Sequence, residues 1–236
     1  MKIGGIQKLT LIDSPGCLAA TVFLIGCNFR CVFCYSSELV LPEKIKNQPV
    51  FSNKEVLSFL KQRKDLLEGV VICGGEPTIN NNLPSFIKQI KKLGFLVKLD
   101  TNGSNPRMLK RLIDKKLINY VAMDIKAPKE KYLDIVKVSG FLKSNIIKNI
   151  EKSINVLKKS KIDYEFRTTV VPSLHGKNDI LKIVDWIKPA KRYYLQGFKG
   201  EKTINPGFEK LRPYADEYLL EIHQAISPFF DVCEVR

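Results

Sequence analysis

Short apolar runs alternate with amphipathic segments from residue 19 onward. The runs have the length and β-branched content of strands, and the segments between them have helical periodicity. Strands that alternate with helices need crossover connections, so the pattern predicts a parallel sheet in an α/β domain. The predicted strands are 19–25, 69–73, 95–99, 119–125, 163–171, 191–196 and 229–235, and the predicted helices are 53–67, 83–93, 105–117, 144–160, 177–188 and 213–227.

The length and the absence of linkers favour a single domain over residues 1–236. The chain is 44% hydrophobic, enough for a substantial core. No Gly/Ser-rich linker or short repeat divides it. About six strand–helix units are fewer than the eight of a closed barrel, so we expect a partial (βα)6-type TIM barrel. Its core is predicted at about 19–200, after a short N-terminal extension, 1–18.

Charge and hydropathy limit which partners we expect for this protein. The sequence has 39 Lys and Arg against 24 Asp and Glu, a formal charge of +15. The lysines are spread along the chain, which favours a solvated surface; attraction to an acidic protein, an anionic cofactor or RNA is the alternative. Nucleic acid is the least expected of these, because no recognisable binding motif is present. No apolar run is long enough for a bilayer and the N-terminus is too polar for a signal peptide, so we expect a cytoplasmic protein without a membrane partner.

Three cysteines follow the first predicted strand in the segment GCNFRCVFCY. Cys27, Cys31 and Cys34 have the spacing Cys-x3-Cys-x2-Cys. A compact loop with this spacing can turn three thiolates towards one iron–sulfur cubane, each ligating a different iron. Three ligands leave the fourth iron open, and an open coordination site is typical of a reactive centre.

Zinc and disulfides are the competing interpretations of these cysteines. A zinc site would need a fourth ligand, and the two histidines, His175 and His223, are remote in sequence. Disulfides are disfavoured because half of the six cysteines lie within eight residues and no secretion signal is present. The cluster is the favoured interpretation, and a non-enzymatic zinc-binding module remains the alternative.

A glycine-rich turn follows the second predicted strand in the segment CGGEPT. Gly74 and Gly75 allow close backbone approach, Glu76 supplies an acceptor for an ammonium group, and Pro77 restricts the turn. By itself this segment is also ordinary turn chemistry.

Polar residues also end the next three predicted strands. Asp100, Thr101 and Asn102 follow the third strand, while Asp124 and Lys126 follow the fourth. Ligands in such sheets bind beyond the carboxyl ends of the strands, so these residues are site candidates. An Asx-type turn and a surface ion pair are the alternative explanations.

Arg167 lies within a β-branched run on the following strand. An arginine is costly to bury unpaired. Its sequence context predicts either a structural acid or a bound carboxylate as its partner, without deciding between them.

The cysteine triplet and the GGEP segment together resemble the radical S-adenosylmethionine enzymes. In that family a four-iron four-sulfur (4Fe–4S) cluster on three cysteines leaves one iron for the amino and carboxylate groups of S-adenosylmethionine. One electron then breaks the sulfonium bond and yields methionine and a 5′-deoxyadenosyl radical. The resemblance implies that Cys27, Cys31 and Cys34 bind the cluster, and no catalytic residue beyond the cluster and cofactor ligands.

The same resemblance implies a set of cofactor-binding residues. The aromatic before the last cysteine lies near the adenine, the GGEP segment near the methionine amino group, and Lys126 beside the methionine carboxylate. Asp100 and Asp124 are implied to share a monovalent cation. The full implied set is Phe33, Gly74, Gly75, Glu76, Pro77, Asp100, Thr101, Asn102, Asp124, Lys126 and Arg167.

The opening GGIQKLTLIDSPG, with DTNG, MDIKAP and RTTVVP, resembles one subgroup, the activating proteins of glycyl-radical enzymes, in particular anaerobic ribonucleoside-triphosphate reductase. The resemblance implies hydrogen abstraction from a glycine of a partner enzyme of this kind or of the pyruvate formate-lyase kind. It also implies a reduced flavodoxin or ferredoxin-type electron donor. Ser14, Tyr35–Ser36 and Cys73 depart from the pattern of the subgroup. A radical enzyme acting on RNA or on a small molecule, as 7-carboxy-7-deazaguanine synthase does, is the alternative.

Overall fold

One eight-stranded sheet, with its strands in chain order, organises the protein. The structure is a computed structural model and describes residues 1–138 and 140–236. Strands β1 and β2 are antiparallel, and every later pair of neighbours is parallel. The strands are β1 Ile3–Thr10, β2 Ala19–Leu24, β3 Gly69–Gly74, β4 Leu96–Thr101, β5 Tyr120–Asp124, β6 Asp163–Val170, β7 Ala190–Gly197 and β8 Phe230–Val235.

Helices connect the parallel strands. The longer ones begin and end within a few residues of the predicted positions, except that the 20-residue helix after β5 starts earlier. Short helices after β2 and β5 were not predicted. The helices are α1 Ser37–Val40, α2 Pro42–Ile45, α3 Asn53–Gln62, α4 Leu83–Lys92, α5 Pro106–Asp114, α6 Tyr132–Val136, α7 Gly140–Lys159, α8 Lys177–Ile187 and α9 Asp216–Ile226.

The order of the strands distinguishes this sheet from a doubly wound one. A doubly wound sheet reverses its strand order at a switch point, whereas here each strand lies beside the next one along the chain. The predicted α/β class and partial (βα)6-type TIM barrel are therefore confirmed. The sheet also extends past the predicted core, because β1 forms from residues 1–18 and β8 lies after residue 200.

The apolar faces of the strands and helices form one continuous core. Val22, Ile72 and Leu99, on three successive strands, are fully buried. Burial of each such side chain is worth about 1.5–3 kcal/mol, which holds these strands in one rigid frame. Because β2 to β7 are parallel, their carboxyl ends lie at one edge, and the predicted site residues follow those ends. No helix in the described ranges is long and apolar enough to cross a membrane.

Candidate functional site

The loop that carries the cysteines leaves the end of β2 and is held by α6. The Arg30 amide donates to the Val136 carbonyl at 2.8 Å, and the Val32 amide donates to Ile135 at 3.3 Å. The Arg30 guanidinium also turns back to the Cys27 carbonyl at 2.8 Å. The loop is therefore fixed by a helix more than 100 residues later in the chain.

A second segment, after β7, holds the other side of the cysteine loop. The Ile204 amide donates to the Cys34 carbonyl at 2.9 Å, and the Asn205 amide donates to Val32 at 3.1 Å. The sequence shows no motif in this segment. These two hydrogen bonds add a support for the cysteines that was not predicted.

Cys27, Cys31 and Cys34 line one cavity of about 250 Å³. Burial raises the pKa of the Cys27 thiol to about 12 and also raises the pKa values of Cys31 and Cys34. All six cysteines of the chain are free thiols. Because an apolar environment disfavours bare thiolates, these sulfurs would lose their protons most readily to a bound metal.

Cys27, Cys31 and Cys34 are the residues of this cavity that could hold an iron–sulfur cluster. Within the described ranges, no group of three or more His, Cys, Asp or Glu residues is arranged to hold one metal ion. In a cubane each cysteine ligates a different iron, so three sulfurs spread around a shared cavity match that requirement. The Nε2 atoms of His175 and His223 lie within hydrogen-bond distance of the Lys126 and Cys233 carbonyls, respectively.

The two glycines of the GGEP segment pack directly against the start of the cysteine loop. A Cβ on Gly75 would lie 2.0 Å from the Gly26 oxygen, and one on Gly74 would lie 2.4 Å from the Leu24 nitrogen. Gly74 also has a φ of 111°, which disfavours other residues. The close approach that these two glycines allow is therefore an approach to the protein's own backbone, at Leu24 and Gly26.

Glu76 is fully buried and is hydrogen-bonded within the chain. Its carboxylate accepts from the Thr101 hydroxyl at 2.7 Å, the Asn102 amide at 2.6 Å, and both the amide and hydroxyl of Thr78. Burial raises its pKa despite these donors. Glu76 and Pro77 are not among the residues that line the cavity, and the carboxylate of Glu76 binds Thr101 and Asn102, which are.

Asn102 joins the turn after β4 to the cysteine loop. Its side-chain amide donates to the Asn28 oxygen at 3.0 Å and lies 3.9 Å from the Cys27 sulfur. With its backbone bonded to Glu76, this residue connects the glutamate to a predicted cluster ligand.

Four charged residues, Asp100, Asp124, Lys126 and Arg167, form another part of the cavity lining, the charged wall. Arg167 contacts both Asp100 and Asp124 at 3.0 Å, and Lys126 contacts the other oxygen of Asp124 at 3.0 Å. Asp124 and Arg167 are direct cross-strand partners of β5 and β6, so the sheet register sets their ion pair. The structural-acid partner considered for Arg167 is therefore present, and both its acids face the cavity.

These charges are mutually stabilised. Burial acts to raise the pKa of Asp124, but the adjacent Arg167 and Lys126 cations outweigh it and lower the pKa to about 2. Burial acts to lower the pKa of Lys126, but Asp124 outweighs it and the pKa is raised. Asp124 and Lys126 therefore remain ionised near neutral pH.

Phe33 and His175 support this charged wall. The Phe33 ring is buried, with the Lys126 ammonium 5.9 Å from its centroid and the His175 ring 6.3 Å away, edge on. His175 is buried too. Its Nδ1 accepts from the Val171 amide and its Nε2 lies 3.0 Å from the Lys126 carbonyl. Burial lowers the pKa of His175 to about 4, so this support is neutral.

The structure thus brings every predicted site residue except Glu76 and Pro77 to the lining of one cavity. Thr169, Ser36 and Val40 also line it and were not predicted as site residues. Strand alternation signals Thr169, which lies two residues after Arg167 on the same face. No sequence signal marks Val40, because it reaches the cavity only through the fold of α1.

Comparison with known proteins identifies the family. The model of the Radical SAM superfamily matches residues 21–187. A Methanocaldococcus jannaschii protein described as a candidate glycyl-radical enzyme activating enzyme is 32% identical, over 99% of this chain and 95% of its own. A second protein of that organism, with the same description, is 27% identical over 86% of this chain and 78% of its own.

Solved structures show the same fold at low sequence identity. The structure of TYW1 with a lysine-pyruvate adduct has a TM-score of 0.61 and 17% identity, covering 89% of this chain and 73% of its own. Streptococcus suis SuiB bound to S-adenosylmethionine has a TM-score of 0.61 and 16% identity over 91% of this chain. This chain spans about half of SuiB, 51%. From the family match, the chain belongs to the radical S-adenosylmethionine superfamily.

Proposed function

We propose that this protein activates a glycyl-radical enzyme by removing a hydrogen atom from a glycine Cα of that partner. Membership of the superfamily implies S-adenosylmethionine and an iron–sulfur cluster. The observation that carries the finer proposal is the similarity to the first M. jannaschii protein along nearly the whole of both chains. A domain inserted for a different substrate would interrupt such an alignment.

We assign the 4Fe–4S cluster to Cys27, Cys31 and Cys34, on the basis of their shared cavity. When bound, the cluster and S-adenosylmethionine supply a 5′-deoxyadenosyl radical. The residues of the chain would bind and orient the cluster and S-adenosylmethionine and shield them from water. Gly74 and Gly75 border the cavity, while Glu76 holds the turn of Thr101 and Asn102 in place.

The charged wall is suited to a zwitterionic amino acid group. Lys126 and Arg167 offer positive charge to a carboxylate, and Asp124 offers negative charge to an ammonium. The predicted monovalent cation would be held by Asp100 and Asp124, which already share the Arg167 guanidinium. We therefore propose that the Arg167 guanidinium already neutralises much of the negative charge of Asp100 and Asp124, which a monovalent cation would otherwise neutralise.

A partial barrel also suits a protein substrate. β1 and β8 are the edges of the sheet among the described residues, so the barrel is not closed by strand pairing. SuiB, which shares this fold, has been solved with its precursor peptide SuiA bound. A glycine-bearing loop of a partner is a substrate of the same general kind. The rest of the cavity wall then excludes water from the reacting centre.

The test uses anaerobically reconstituted protein with a strong reductant and S-adenosylmethionine. We expect 5′-deoxyadenosine and methionine in equal amounts, and a glycine-centred doublet in electron paramagnetic resonance when a glycyl-radical enzyme encoded nearby in the genome is added. Deoxyadenosine without any doublet would reject the activase proposal in favour of an RNA or small-molecule substrate. Purified protein that holds zinc and no iron would reject the cluster.

A further inference from the structure

A second depression lies on the outer side of the cysteine loop. This outer groove has a volume of about 580 Å³. Cys27 lines both the outer groove and the inner cavity, which is the cavity of about 250 Å³ that the predicted site residues line. Val40 also lines both, and Cys27 is the predicted cluster ligand that the two have in common. Every other predicted site residue that lines the inner cavity is absent from the outer groove.

The outer groove is positively charged. Lys2, Arg30 and Lys46 line it, and of the described residues that line it none is acidic. Its rim is partly apolar, with Val50 54% exposed and Ile79 39% exposed. Cations around a modest apolar patch are typical of a transient protein interface that is steered by charge.

A second basic groove, between α5 and α7, shows why charge alone does not identify a docking site. It is larger, about 780 Å³, and Lys110, Lys152 and Lys159 line it. None of its lining residues is a predicted site residue. The outer groove differs because it reaches a predicted cluster ligand through its wall.

We propose that the outer groove is where a one-electron donor protein with an acidic face docks. This inference rests on the proposed function, because only a cluster that must be reduced needs a donor. The donor loses one electron and the cluster gains it; that electron is used when the sulfonium C–S bond of S-adenosylmethionine breaks. Electron-transfer complexes of this kind have small, weak interfaces.

The test measures reduction of the cluster, separately from turnover. Reconstituted protein is mixed anaerobically with reduced flavodoxin, and the loss of the visible absorption of the cluster is followed by stopped flow. For the Lys2→Glu/Lys46→Glu variant we expect a bimolecular rate constant at least about tenfold lower at low salt, and a weaker salt dependence. Reduction by photoreduced deazariboflavin, which is small and uncharged, should be unchanged.

The matched control is Lys159→Glu/Lys161→Glu in the groove between α5 and α7. It makes the same change in net charge, and we expect near-native reduction by flavodoxin. Equal slowing of both double variants would show an effect of total charge only and overturn the proposal. No slowing of the first variant, or slowing of the control alone, would overturn it as well.

A third variant keeps the proposal testable if the Lys2→Glu/Lys46→Glu variant loses its cluster. Val50→Glu changes an exposed rim residue and should also slow flavodoxin while sparing deazariboflavin; native rates in it would reject the proposal. If deazariboflavin-driven activation of the partner enzyme fails in the Lys2→Glu/Lys46→Glu variant, the groove serves the protein substrate and the donor assignment is wrong. Wild-type protein that is reduced normally but never cleaves S-adenosylmethionine would refute the proposed function instead, leaving docking to be judged by the reduction rates.

Discussion

The two walls of the inner cavity satisfy their polar groups in different ways. The charged wall, formed by Asp100, Asp124, Lys126 and Arg167, is paired within the protein at 3.0 Å contacts. The sulfur wall, formed by the three cysteines of the loop after β2, has only weak internal partners, and burial keeps its thiols protonated.

This difference indicates how each wall meets a ligand. The charged wall is preorganised, since its ions face the cavity without needing a guest to neutralise them. The sulfur wall has its backbone held in place by α6 and by the segment after β7, and its buried thiols would lose their protons most readily to a bound metal. The predictions below test whether the walls are separable in this way.

Loss of a thiol should have the largest effect. Replacement of Cys27, Cys31 or Cys34 by Ala should abolish reductive cleavage of S-adenosylmethionine, because a cubane with two protein ligands is not retained. Iron content and 5′-deoxyadenosine are the measurements. Cys233→Ala, on the edge strand β8, is the control and should retain both. Deoxyadenosine formed by any of the three variants would remove that residue from the ligand set.

Arg167→Ala should strongly destabilise the fold. It leaves the half-buried carboxylates of Asp100 and Asp124 without the guanidinium that joins them, although each keeps a lysine partner, so we expect a loss of about 3 kcal/mol of unfolding free energy. Denaturant unfolding measures it. Arg192→Ala, which removes a more exposed pair with Asp163, should cost no more than about 1 kcal/mol. Equal losses of unfolding free energy in the two variants would show that the ion pairs of Arg167 stabilise the fold no more than an exposed ion pair does.

His175 should make stability depend on pH. Its pKa is about 4 in the folded protein against an ordinary value of 6.5, so below pH 6.5 the unfolded chain binds a proton that the folded protein does not. The stabilisation is present above pH 6.5 and is lost as pH falls towards 4, by up to about 3 kcal/mol. His175→Gln cannot titrate, so its unfolding free energy should fall less over this range. Identical pH profiles would exclude His175 as the cause.

Lys126→Ala should have the smallest effect of these changes, and its main effect should be on cofactor binding, because Asp124 keeps Arg167 as a partner. Removing one charged hydrogen-bond donor should weaken S-adenosylmethionine binding by about 10- to 100-fold while the cluster remains. Equilibrium binding to reconstituted protein, with iron content as the check, measures it. Lys129→Ala, an exposed lysine three residues later that pairs with Glu151, should bind normally. Unchanged affinity in Lys126→Ala would place that residue outside the site.

Much of the site was predictable because its residues follow strand ends. Cys27, Gly74, Asp100 and Asp124 each lie just after or at the end of a parallel strand, and the topology alone collects them at one edge. β1 was not predicted, because the segment IGGIQKLT has two glycines and a polar face, and pairing with β2 is what orders it. The same holds for the hydrogen bonds from Ile204 and Asn205, which depend on where the chain after β7 returns.

The sequence by itself determined the alternating strands and helices and is the source of the predicted ligand chemistry, because both depend on local spacing and periodicity. Only the tertiary structure decided which groups meet: that Arg167 joins two aspartates, that Glu76 supports a turn that lines the cavity, and that Cys27 also lines the outer groove. Pairing and burial are set by strand register and by packing between distant segments, and a single sequence does not encode those contacts in any local pattern.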